Sequence, residues 1–179
     1  AAAASAAPLS PQESGATPAA RPAGGEAIVT ATRIYVNLAE PDHAEEVART
    51  DVDGVGLLRA EFMLLDALGG VHPRKLMAEG KSHELVRKMA GALERFAKAF
   101  HPRPVIYRAM DFRSNEFRAL KGGEEFEPHE ENPMIGYRGC FRYVKEPALF
   151  ALELRALHEA RQQHRNLHLM IPFVRTGWE

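Results

Sequence analysis

Cysteine is nearly absent: Cys140 is the only one in 179 residues. That excludes an internal disulfide framework and a Cys-rich zinc module, and it fits a reducing, cytoplasmic setting. Neither sign of charge dominates, with 23 Lys+Arg against 24 Asp+Glu and a net charge of −1. The electrostatic basis for a general nucleic-acid binder or a polybasic membrane-surface protein is therefore missing. No run approaches the roughly 18 apolar residues that a bilayer span requires. The eight histidines contain no pair at metal-ligand spacing on a well-defined element. His72, His101 and His129 fall in turns, and the set reads as mostly solvated. GVG at 54–56 lacks the downstream glycine of a dinucleotide fingerprint. Nothing beside Cys140 in sequence would lower its pKa, so it reads as a packed, inert thiol. What remains is ordinary globular composition, 45% hydrophobic and 26% charged.

The chain changes character near residue 30. Residues 1–30 hold eleven Ala, four Pro and three Gly, with Glu13, Arg21 and Glu26 as the only charges. Pro8, Pro11, Pro18 and Pro22 interrupt any helix. The basic start and long Leu/Ile/Val stretch of a secretory signal are missing. Residues 1–32 read as a disordered tail or a semi-extended interdomain linker, and 33–179 as the folded domain.

Within that domain, Ile34, Val36 and Leu38 alternate with Tyr35 and Asn37, which predicts a strand over 33–39. Pro41 suits a first helical position, and a short helix is expected over 42–49. Val55, Leu57 and Leu58 predict a second strand. A long helical region follows His72-Pro73, where Leu85, Met89, Leu93, Phe96 and Phe100 mark one apolar face. Val105, Ile106 and Tyr107 form a third strand. Residues 147–164 form another helix, with Leu149, Leu152, Leu154 and Leu157 as its apolar set. Leu167, Leu169, Ile171 and Phe173 form a fourth strand. The order β-α-β-α-β-α-β predicts an α/β protein with parallel strands. Periodicity alone leaves open a doubly wound open sheet or half of an eight-stranded barrel.

Arginines stand at the ends of apolar strands: Arg59 in GVGLLRAEF, Arg108 in PVIYRAMDF and Arg175 in MIPFVRT. The carboxyl ends of parallel strands line ligand sites in such folds. A guanidinium offers a planar fork of donors for phosphate or carboxylate oxygens. The alternative is structural pairing with Glu61, Asp111 or Glu116. Residues 122–143, GGEEFEPHEENPMIGYRGCFRY, form a shaped loop rich in Gly and Pro, with Arg138 near the start of the next helix. That loop is either an anion-binding element or a structural one pinned by Glu131 or Asn132. Its acids Glu124, Glu125, Glu127, Glu130 and Glu131 read as a solvated run rather than a metal cage.

The blocks IYVNLAEPDHAEEVA, VDGVGLLRAEFM, GVHPR, VIYRAMDFRSNEF, GGEEFEPHEENPMIGYRG and LMIPFVRT make residues 33–179 resemble the start of the phosphoenolpyruvate-binding barrel of the phosphoenolpyruvate synthases (pyruvate, water dikinases). GLLRAEF alone would also fit pyruvate phosphate dikinase and the phosphotransferase-system Enzyme I. GVHPR, DFRSNEF and EENPMIGYRG point to the synthases. The resemblance implies the first four β/α units of a TIM-type (β/α)8 barrel. It implies that Arg59 and Arg108 bind the phosphate and carboxylate of phosphoenolpyruvate or pyruvate, with Arg138 beside them and Arg175 in the FVRT segment. In the family, ATP phosphorylates a histidine on a swivelling domain, which carries the phosphoryl group to the barrel. Mg²⁺-bound pyruvate becomes its enolate there and takes the group, giving phosphoenolpyruvate, AMP and phosphate. The acidic Mg²⁺ ligands, the Gly-Ser/Thr-Asn-Asp loop and the proton-donating cysteine belong to later family segments that this sequence does not include. Cys140 does not occupy that cysteine's place. The expectation is thus a segment of a gluconeogenic, ATP-using transferase, inactive by itself. It would have pyruvate, phosphoenolpyruvate and the phosphohistidine domain as partners. Rival readings are a truncated paralogue serving as a binding or assembly module and an Enzyme I-like phosphotransferase. Outer strands without barrel neighbours leave homo-oligomerisation open.

Overall fold

The computed structural model describes residues 30–179. All but the last three positions of the Ala/Pro-rich segment predicted over 1–32 lie outside the described residues. Four strands, β1 (Tyr35–Leu38), β2 (Gly54–Arg59), β3 (Val105–Arg108) and β4 (Leu167–Met170), form one sheet in the order β1-β2-β3-β4. Every neighbouring pair is parallel. Each predicted strand is present: β1 and β4 are shorter than predicted, while β2 and β3 extend to Arg59 and Arg108. β4 stops before Ile171 because Pro172 has no N–H to continue the ladder, and Phe173 turns away with a φ of +58°.

The crossovers carry the helices. After β1, a 3₁₀ turn at Pro41–His43 leads into α1 (Ala44–Ala48). After β2, α2 (Ala60–Leu68) starts at once. The predicted long helical region is two helices, α3 (Pro73–Ala78) and α4 (Ser82–Phe100), separated at Gly80, whose φ of +72° no ordinary helical residue adopts. Short helices α5 (Ser114–Arg118), α6 (Gly123–Phe126) and α7 (Gly139–Lys145) shape the excursion after β3, and α8 (Pro147–Arg161) returns to β4.

The apolar face predicted for α4 is the one it buries: Leu85, Met89, Leu93, Phe96 and Phe100 are all at most 2% exposed. This face meets α1, α2 and α8 and packs on Val55, Leu58, Val105, Tyr107 and Leu167 from the sheet. α8 buries Leu149, Leu152 and Leu157 but leaves Leu154 exposed, which corrects the predicted apolar set. On the opposite side, Tyr35, Asn37 and His168 are exposed and Ile106, Arg108 and Met170 are half-buried.

The strand order bears on the two architectures left open by the hydrophobic pattern. A doubly wound sheet needs a point where strand order reverses. Right-handed crossovers between strands in unbroken sequence order keep successive helices on one face. Among the described strands the order never reverses, so the sheet is wound in one direction only.

Candidate functional site

Register brings the strand-end arginines together. β2 and β3 align so that Arg59 is the direct partner of Arg108, and Arg108 in turn sits opposite Met170 of β4. Both arginines therefore stand at the carboxyl end of the sheet, side by side. A cavity of about 280 Å³ opens there. Arg59, Arg108 and Arg138 line it together with Arg113, and Glu61, Asp111 and Glu116 supply its carboxylates. Phe62 and Met134, both exposed, complete the wall. Four guanidinium groups against three carboxylates leave one positive charge in excess.

The arginines are not equivalent. Arg138 is the residue before α7, and its fork clamps Asp111, with Nε donating to Oδ1 at 2.9 Å and Nη2 to Oδ2 at 2.8 Å. Its Nη1 donates to the Met134 carbonyl at 3.1 Å, and the guanidinium lies 4.5 Å from the Phe173 ring centroid. Arg108 pairs with Glu61 through Nη2 and stands 3.8 Å from Asp111 through Nη1. Its Nε and the Glu61 Oε2 are buried with no partner, so this pair has unused donor and acceptor capacity at the cavity. Arg59 forms no side-chain hydrogen bond or ion pair with any described residue and is exposed. Structural pairing thus accounts for much of Arg108 and Arg138 but leaves Arg59 available.

Arg113 was not among the residues singled out from sequence. Its only sequence signal is its place in DFRSNEF. It precedes α5 and forms a reciprocal cap with Glu116: its backbone N–H donates to Oε2 at 2.8 Å and its Nη2 to Oε1 at 2.6 Å. Burial alone would raise the Glu116 carboxyl, but these Arg113 contacts outweigh it and hold the group below the usual range. Arg175 does not line the cavity. Its Nη1 donates to the carbonyls of Ile135 at 2.8 Å and Gly136 at 3.1 Å, and the side chain lies against Phe141 and Phe173.

The loop that delivers Arg138 is held by acids, and not by those predicted. Glu127 is buried and receives both Nη atoms of Arg142, at 2.6 and 2.8 Å, and Nε2 of His72 at 2.9 Å. Burial would raise Glu127, but the His72 and Arg142 contacts prevail and its pKa is lowered. Glu130 accepts from the Ser114 hydroxyl and from the Tyr137 N–H at 2.9 Å. Glu127 and Glu130 are therefore structural pins rather than members of a solvated run, while Glu124, Glu125 and Glu131 are exposed. Asn132 makes only a local contact to Met134 N–H. His72 corrects the reading of solvated turn histidines, since it is fully buried. Its Nδ1 accepts from the Arg74 N–H at 3.3 Å, which leaves Nε2 as the protonated nitrogen facing Glu127. His129 and His101 are exposed as expected.

Two small features seat α7. Gly139 has a φ of +55°, and a Cβ there would lie 2.6 Å from the Phe173 Cβ and 2.8 Å from the Pro172 carbonyl oxygen. That carbonyl accepts the Cys140 N–H at 2.9 Å. Burial pushes the Cys140 thiol up, in keeping with an unreactive side chain.

No group of three or more His, Cys, Asp or Glu side chains among the described residues could hold a metal ion. No described helix is long and apolar enough to cross a membrane.

Comparison with known proteins identifies the family of the chain. The family model of the PEP-utilising enzyme, PEP-binding domain, matches residues 23–179, and the chain belongs to that family. It is 47% identical over 156 residues to a probable phosphoenolpyruvate synthase of Staphylothermus marinus, covering 84% of this chain and 18% of the relative. It is 46% identical over 151 residues to the phosphoenolpyruvate synthase of Pyrococcus furiosus, again covering 84% and 18%. For the phosphoenolpyruvate synthase of Aeropyrum pernix the identity is 43% over 157 residues, covering 84% and 19%. The chain thus spans less than a fifth of the length of these relatives.

Proposed function

We propose that this chain is the phosphoenolpyruvate- and pyruvate-binding segment of a phosphoenolpyruvate synthase, and that its four β/α units are the first half of a (β/α)8 barrel. The observation that carries this reading is the cationic cavity at the carboxyl end of the sheet, where Arg59 and Arg108 are register partners and Arg138 faces them. One-way winding of the sheet supports the barrel, because closure of a singly wound sheet produces that fold.

In this reading Arg59 takes oxygens of the incoming anion first, since its donors are uncommitted. Arg108 contributes through its unpartnered Nε and by exchanging Glu61 for substrate oxygens. Arg138 is fixed by Asp111 and offers its remaining positive field. Such an array neutralises phosphoryl oxygens and holds the line of transfer without covalent participation. The overall reaction would convert ATP, pyruvate and water to phosphoenolpyruvate, AMP and phosphate. Its phosphoryl group would arrive from a phosphohistidine domain outside this segment. Mg²⁺ ligands are likewise expected outside it.

Titration of the chain with phosphoenolpyruvate, pyruvate and inorganic phosphate, followed by arginine Nε–Hε NMR signals, tests the reading. Saturable phosphoenolpyruvate binding that shifts the Arg59 and Arg108 signals and is weakened by Arg59→Lys is expected. Absence of binding, or binding indifferent to Arg59, would refute the assignment and favour a non-catalytic assembly module.

A further inference from the structure

Below the cavity, α8 sends Glu153 into the core at 2% exposure. Three elements meet its carboxyl group. The Tyr107 hydroxyl of β3 and the Met110 N–H both contact Oε1, the latter at 2.9 Å. The Tyr143 hydroxyl of α7 contacts Oε2 and also lies 3.2 Å from the Met110 carbonyl oxygen.

Proton counting decides the ionisation state. The cluster has four hydrogen-bonding links: Tyr107 to Oε1, Met110 N–H to Oε1, Tyr143 to Oε2, and Tyr143 to the Met110 carbonyl. Two hydroxyls and one N–H supply three protons, and a carboxylate supplies none. An ionised Glu153 would leave Tyr143 able to serve either Oε2 or the Met110 carbonyl, but not both. A protonated Glu153 satisfies all four. Its O–H donates to the Tyr143 oxygen, Tyr143 donates to the Met110 carbonyl, and Oε1 accepts from Tyr107 and Met110. Among the described residues no cation pairs with Glu153, and the charged group acting on it is Glu61 of α2, of the same sign. An unpaired buried charge would be costly.

We infer that Glu153 is a positioning residue for the cavity, holding its own proton and tying down both the N–H and the carbonyl of Met110. Met110 lies between Arg108 and Asp111, so fixing its backbone fixes the pair that carries the substrate-facing guanidinium and the anchor of Arg138. This second part rests on the anion-binding reading of the cavity; the protonation of Glu153 does not. Burial pushes the Glu153 carboxyl up, and it pushes the Tyr107 and Tyr143 hydroxyls well above their ordinary value, the same direction in which the proton count points.

Glu153→Gln tests this, because an amide can make all four links while carrying no titratable proton. Infrared spectra of the chain at neutral pH should show a protonated-carboxyl stretch that Glu153→Gln removes. The same variant should bind phosphoenolpyruvate within about twofold of the parent. Tyr143→Phe, which frees the Met110 carbonyl, should weaken binding by about three- to tenfold while retaining a cooperative melt. Absence of the infrared difference would overturn the protonation. A Tyr143→Phe protein that melts cooperatively and binds with unchanged affinity would overturn the positioning role. If the parent chain fails to bind phosphoenolpyruvate, the cavity reading fails, and the positioning role with it, while the infrared difference still decides the state of Glu153.

Discussion

Arg142→Met strands a buried carboxylate, and its effect can be worked out from the contacts. Arg142 is 1% exposed, gives two hydrogen bonds to Glu127 and one to the Tyr137 carbonyl, and is sandwiched between Phe117 and Tyr137. Methionine keeps an unbranched apolar stem between those rings, so packing is largely conserved. Glu127 keeps only the His72 donor, with its side chain fully buried. Breaking one side of a buried pair costs about 3–5 kcal/mol, a large part of the roughly 5–15 kcal/mol that holds a domain together. Replacing both residues, as in Arg142→Met with Glu127→Met, should recover much of that loss because no charge is left behind. Urea denaturation followed by circular dichroism measures each variant. The pH dependence supplies a second signature. In the parent, Glu127 is held below its unfolded value, so its contribution is present above the ordinary carboxylate range and lost as pH falls through the depressed folded value. In Arg142→Met, burial without the guanidinium raises Glu127, so stability should instead increase as pH falls toward the ordinary range. A single-variant cost under about 1 kcal/mol, the scale of an exposed pair, or an unchanged pH slope would refute the reasoning.

Gly139→Ala forces a φ of +55° on a residue with a Cβ and drives that atom into Phe173 and Pro172. A loss on the order of 1–3 kcal/mol is expected in thermal or urea melts, and a neutral result would mean α7 can be reseated cheaply. Arg59→Lys and Arg108→Lys keep charge but lose the planar fork. In a complete synthase each should cost on the order of 2–4 kcal/mol of transition-state stabilisation, and near-normal pyruvate kinetics would remove that residue from the site. Arg175→Ala should loosen the Ile135-Gly136 turn, detectable as faster amide exchange there, while phosphoenolpyruvate affinity stays within about twofold; a large affinity loss would bring Arg175 back into the site. For Glu153, the folded pKa is raised, so stability should decline as pH climbs from the ordinary carboxylate range toward the raised value, and Glu153→Gln should abolish that decline in pH-dependent melts.

Local patterns alone determined a good deal of this protein. The α4 face was legible because 19 helical residues repeat their apolar positions often enough to define one side. The four strands were legible from short apolar runs bounded by Pro, Gly and charge, and Arg59 and Arg108 stood out as ionic residues ending such runs. α2 was missed because its sequence, AEFMLLDAL, is apolar almost all round and shows no helical period. α5, α6 and α7 are seven residues or fewer, too short to display one. Tertiary structure decided which strands are neighbours, and therefore that Arg59 and Arg108 share a register position while Arg175 points elsewhere. It also decided the fate of the polar residues. Glu127 resembles Glu124 and Glu125 in sequence, yet it alone meets Arg142 and a histidine 55 positions away. Hydrophobic periodicity records which side of an element faces inward, because burial acts on each residue separately. Pairing of a particular acid with a particular base depends on where two distant segments meet, and that is set by the assembled sheet and its crossovers.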